Sequence, residues 1–169
     1  MKEKILNLFI NYPQEDFSAR GIARKLNTNH VTILKYLKEL KQENLIKTKT
    51  TTLYDVYYAN TTSNKYIRLK KNYIVEKIIS SKLIKFLNEN CYPDCIVLFG
   101  SCAKGTFNEN SDIDIFIESS YKNLNLTKFE KVLNHNINII FEPKIRNLSG
   151  ELVNNIINGI ILSGYIKVF

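Results

Sequence analysis

The chain has 169 residues, 44% of them hydrophobic and 11% aromatic, which is enough to bury a real core and excludes a disordered segment. No apolar run approaches the roughly 20 residues of a membrane-spanning helix, and Met1–Ile10 is too short and polar for a secretory signal, so the cytoplasm is the expected location. The net charge of +8 is uneven: residues 1–70 hold 13 Lys+Arg against 6 Asp+Glu, whereas residues 91–169 hold 7 against 8. A basic front and a near-neutral back predict two units with different partners.

In chain order, the first helix is expected over Lys2–Asn11, ending before Pro13, because the residue ahead of a proline disfavours helix. A second helix starts after Ser18, a suitable N-cap, with Ile22, Ala23 and Leu26 at helical spacing. After the polar turn Asn27-Thr28-Asn29, a third carries the stripe Ile33, Leu37 and Leu40, with Leu34 alongside. Leu45 and Ile46 open a strand, Thr50-Thr51-Thr52 forms a hairpin tip, and the chain returns through Leu53, Val56 and Tyr58. Tyr66–Asn90, with no glycine or proline, reads as one connector helix whose apolar positions offer a surface to both domains or to a second copy of the chain.

Three cysteines, Cys91, Cys95 and Cys102, make an odd number without zinc spacing, so reduced and partly buried thiols are expected. From Ile96 the pattern changes to short apolar strands. Ile96–Phe99 leads into Gly100-Ser101, then ten residues, then Asp112-Ile113-Asp114 and a second apolar run, Ile115–Ile117. A strand ending in Gly-Ser allows a close turn whose amides, with the start of a short helix, face an anion. Gly105 ends that helix, and Asn108–Ser111 is a polar loop. Asp112 and Asp114, two apart on a strand, leave the same face roughly 6.5–7 Å apart. Magnesium favours one or two carboxylates together with substrate phosphates, so this pair suits a nucleoside triphosphate held on Mg2+. Lys104, Lys144 and Arg146 are further candidate contacts, and His135 sits near a strand start. A helix over about Gly150–Leu162 and a last strand or arm over Tyr165–Phe169 complete the expectation.

Two resemblances follow from these residues. Ser18–Leu26, Thr32–Leu40 and Asn44-Leu45-Ile46 resemble a winged helix-turn-helix. That likeness implies DNA contacts by Asn29, His30, Thr32, Lys35 and Tyr36 in the major groove, with Lys47, Lys49, Arg20, Arg24 and Lys25 on phosphates. Ile96–Ile117 resembles the minimal nucleotidyltransferases of the DNA polymerase β superfamily, with their Gly-Ser-x10-Asp-x-Asp signature. This second resemblance implies ATP as substrate, Gly100 and Ser101 on its phosphates (with Lys104 and Ser111 nearby), and Asp112 and Asp114 on Mg2+. It also implies an acceptor hydroxyl such as a tyrosine on a helical HEPN-type toxin. The third family carboxylate aligns with Asn138, an amide that carries no charge and takes no proton; Glu142, on the same strand face, is the alternative. The expected architecture is α/β (α+β): a winged helix over 1–62, a connector helix over 63–90, and a polymerase-β-like mixed sheet flanked by helices over 91–169. The alternative function is a winged-helix regulator whose nucleotidyltransferase half senses nucleotide or docks a partner.

Overall fold

The computed structural model describes residues 1–167, and the chain forms two units, Met1–Lys70 and Lys71–Phe169. In the first, helices α1 (Lys2–Asn11), α2 (Ala19–Lys25) and α3 (His30–Gln42) pack with a three-stranded antiparallel sheet. Its strands are β1 (Phe17–Ser18), β2 (Ile46–Thr50) and β3 (Asp55–Ala59), in the order β1-β3-β2. The two-residue β1 has no alternation to betray it in the sequence and exists only through its pairing with Tyr57 and Val56. Ser18 caps α2 as expected, its hydroxyl accepting the Gly21 N–H at 3.1 Å. The stripe Ile33, Leu37 and Leu40 is fully buried against Ile5, Phe9 and Ile22. Leu53 belongs to the hairpin tip rather than the returning strand and is 87% exposed.

Proline chemistry explains one buried bond here. The carbonyl of Phe9 would normally accept from the residue four places on, but that residue is Pro13, which has no N–H. The buried Tyr66 hydroxyl donates to this carbonyl instead, at 2.6 Å.

The expected single helix over 66–90 is two helices, α4 (Asn64–Ser80) and α5 (Leu83–Cys91). Ser81 makes the break: its hydroxyl donates to the Ile78 carbonyl at 2.7 Å and accepts the Leu83 N–H at 3.2 Å. Lys82 between them takes a left-handed conformation, φ 64°. A serine that bonds its local backbone competes with the helix ladder, so neither glycine nor proline was needed.

The second unit holds a four-stranded mixed sheet, ordered β6-β5-β4-β7, from β4 (Cys95–Phe99), β5 (Ile113–Ile117), β6 (Ile137–Phe141) and β7 (Ile160–Gly164). β5 and β6 run parallel; the other pairs are antiparallel. All five residues of β4 are buried, as a central strand covered on both faces requires. The short α6 (Gly100–Lys104) follows β4, α7 (Thr127–Leu133) precedes β6, and α8 (Gly150–Ile157) precedes β7. Thus the mixed α/β architecture expected from the sequence is found.

The tail differs from expectation. α8 stops at Ile157 rather than Leu162, and among the described residues the last strand is Ile160–Gly164, with 165–167 outside any strand. The cause is Gly159, where a Cβ would fall 2.4 Å from the Leu98 carbonyl oxygen, so the chain passes β4 too closely for a continuing helix. The final two positions of the expected strand, Val168 and Phe169, lie outside the described residues. All three cysteines are buried and none is joined in a disulfide among the described residues. Among the described residues no helix is long and apolar enough to cross a membrane.

Candidate active site

Antiparallel pairing of β4 with β5 sets Phe99 opposite Asp114, so the next residue of β4's exit, Gly100, comes to rest against that aspartate. Gly100 has φ +69°, a region glycine enters freely and other residues do not. A Cβ at this position would lie 2.3 Å from Asp114 Oδ2. The carboxylate therefore occupies the space that a side chain would need. Asp114 is half-buried, and Asp112, just ahead of β5, is exposed.

Across the sheet, the parallel register pairs Asp114 with Asn138 and Ile113 with Ile137. Asn138 Nδ2 donates to Asp114 Oδ1 at 3.2 Å, and Asn136 Nδ2 donates to Asp112 Oδ1 at 3.2 Å. Asn138, a candidate from the sequence, is thus in direct contact with Asp114. Asn136 went unnoticed in the sequence; the signal was an Asn-x-Asn at the start of β6 that mirrors Asp-x-Asp at the start of β5. Glu142 does not reach this place. It lies four residues beyond Asn138, about 13 Å along a strand, and its carboxylate accepts from Asn147 Nδ2 at 2.8 Å. Lys144 and Arg146 follow at that same far end, where the Ile145 N–H donates to buried Glu118 at 3.1 Å.

Ser101 is half-buried in the first turn of α6, next to Gly100. Lys104 is exposed in the last turn of α6 and donates to Asn155 Oδ1 at 3.4 Å. Ser111 holds its own loop together: its hydroxyl accepts the Asn108 N–H at 2.9 Å, and its carbonyl lies 2.7 Å from His135 Nδ1. Beside it is a cavity of about 400 Å³ lined by residues that include Asn110, Ser111, Lys131, His135 and Asn136.

The donor set decides what ion could sit here. Asp112 and Asp114, each bonded at Oδ1 by an asparagine amide, with the other oxygen of Asp114 over Gly100, suit one oxygen-loving cation completed by substrate phosphates. Among the described residues no group of three His, Cys, Asp or Glu could form a cage of its own.

Residues 80–163 match the family model described as "Nucleotidyltransferase domain". The matched segment runs from the end of α4 to β7, includes every residue of the cluster around Asp112 and Asp114, and supports a nucleotidyl-transfer activity with a nucleoside triphosphate as substrate. A comparison with curated proteins returned no match.

The candidate DNA contacts of the first unit are placed differently from one another. Asn29 caps α3, its side chain accepting the Val31 N–H at 2.8 Å. Thr32 and Tyr36 are half-buried, His30 likewise, and Lys35 and Lys47 are exposed. Lys49 is paired with Asp16 at 2.5 Å, and Lys25 lies 4.7 Å from the Tyr12 ring centroid. On α3, Leu34, expected alongside the buried stripe, is instead 40% exposed, and Val31, which the sequence reading did not single out, is 70% exposed.

Proposed function

We propose that the protein is a magnesium-dependent nucleotidyltransferase that takes ATP and passes its AMP to a hydroxyl on a partner protein. The carrying observation is Asp114 Oδ2 lying against the Cα of Gly100, with Asp112 two residues away. Gly100 and Ser101 take the phosphates, and Asp112 and Asp114 hold the cation. When bound, Mg2+ supplies charge to neutralise the triphosphate and the departing pyrophosphate. The chain's own part is to fix the phosphates at the glycine turn and to aim the acceptor hydroxyl at the α-phosphorus. A tyrosine on a small helical HEPN-type toxin is the acceptor class that the family likeness favours. Full-length protein incubated with Mg2+, α-labelled ATP and its co-purified partner should label that partner. Absence of label above an Asp112→Ala/Asp114→Ala control refutes the transfer.

A second reading has an observation of its own. The group facing Asp114 is the amide of Asn138, which cannot accept a proton from an attacking hydroxyl. On this reading the first unit is a winged helix that binds DNA and represses, and the second senses nucleotide or docks a partner. A salt-sensitive gel shift on upstream DNA, unchanged when both aspartates are replaced, favours it; no DNA binding at low salt ends it.

A further inference from the structure

Each carboxylate of the Asp-x-Asp pair is served by one amide of the Asn-x-Asn pair on the neighbouring parallel strand. Asn136 bonds Oδ1 of Asp112, and Asn138 bonds Oδ1 of Asp114, both at 3.2 Å. The remaining oxygen of Asp114 is the one lying over Gly100. Of the other acids of this region, Glu130 accepts the Ile137 N–H at 3.1 Å, Glu118 accepts the Ile145 N–H, and Glu142 is tied to Asn147, while Glu109 is exposed on the loop ahead of Asp112 and lines the neighbouring cavity.

We infer that Asn136 and Asn138 are positioning residues that hold the two aspartates for one divalent cation, and that the site lacks a second cation position. The inference rests on the nucleotide-binding reading of this site. Two carboxylates balance the charge of one divalent ion. A second ion, at the roughly 3.5–4 Å spacing of two-metal centres, would meet an amide where it needs a negative charge. The single cation is the one carried in on the triphosphate, because the protein offers it only two carboxylates and the phosphates supply the rest. The amides supply what a third carboxylate otherwise would in orienting Asp114, without its charge.

The test titrates Mn2+ into the full chain saturated with an ATP analogue bridged by a methylene between the α- and β-phosphates, with free Mn2+ read by electron paramagnetic resonance. Wild type should retain about one Mn2+ per chain, and Asn138→Asp about two, because the added carboxylate completes the second position. Asn136→Ala should keep about one, held roughly fivefold more weakly for the lost hydrogen bond. Two tightly held Mn2+ in wild type overturn the inference and leave the nucleotide-binding reading standing. A single Mn2+ in an Asn138→Asp protein that melts cooperatively does the same, as does unchanged affinity in Asn136→Ala. If wild type retains neither analogue nor Mn2+, the reading of the site falls with the inference.

Discussion

Replacing Gly100 with alanine strikes the site at its narrowest point. A left-handed backbone costs a residue with a Cβ about 1–2 kcal/mol, and Gly100 sits at φ +69°. The new Cβ would also fall 2.3 Å from Asp114 Oδ2, a distance at which something must move. The carboxylate would have to swing by roughly an ångström, which breaks its bond from Asn138, about 1 kcal/mol. Together these give a destabilisation of about 2–3 kcal/mol. A displacement of that size in a reacting group can cost about 100-fold in rate, and the site should lose its nucleotide response accordingly. The assay is a thermal melt with and without MgATP, with Gly150→Ala as the control, since nothing lies within 4 Å of that position. Gly150→Ala should melt like wild type and keep the nucleotide-dependent shift. A Gly100→Ala protein with wild-type stability and an undiminished shift would refute the argument that this glycine exists to make room for Asp114.

Other outcomes follow from the first unit and from the thiols. Tyr66→Phe leaves the buried Phe9 carbonyl without a donor, because Pro13 cannot supply one, and should cost about 1–3 kcal/mol in denaturant unfolding. Lys2 donates to Glu43, which lowers the Glu43 carboxyl below its ordinary 4.5 and raises the Lys2 ammonium above 10.5. The stability this pair contributes is therefore present between those values, lost as pH falls through the lowered Glu43 value and lost again as pH rises through the raised Lys2 value. Being about one-third exposed, it should amount to no more than about 1 kcal/mol, visible as the difference between wild type and Glu43→Gln across a pH series of melts. Burial pushes the Cys95 thiol up to about 12, with the neighbouring Glu118 charge adding to it. Native protein at pH 8 should consequently leave Cys95 unalkylated by iodoacetamide, and denatured protein should not.

What could be read from the residues was what depends on short spacing. Ser18 as an N-cap, the α3 stripe and the Gly-Ser turn before Asp-x-Asp each involve neighbours within a few positions, where side-chain chemistry and backbone period suffice. Features that depend on pairing were out of reach. β1 is two residues long and is a strand only because β3 lies beside it. The parallel alignment of β6 with β5, which brings Asn136 to Asp112, is set across 24 residues of chain. The break at Ser81 was missed for a different reason: the hydroxyl supplies a local hydrogen bond that a search for glycine and proline does not register. Likewise the Asn158-Gly159 pair was passed over as helix because its apolar neighbours continue the pattern, although the close approach to Leu98 forbids it. Asn138 was singled out from the family pattern, whereas its contact with Asp114 is set by the sheet.

The most direct test of the account is isothermal calorimetry of MgATP against the full chain, paired with Asp114→Ala. Wild type should bind about one nucleotide per chain, and the variant should lose on the order of 100-fold in affinity while melting at a similar temperature, because charge-assisted contacts to the cation are removed. No heat with wild type, or equal affinity in the variant, would contradict the claim that Gly100, Asp112 and Asp114 together hold a nucleotide.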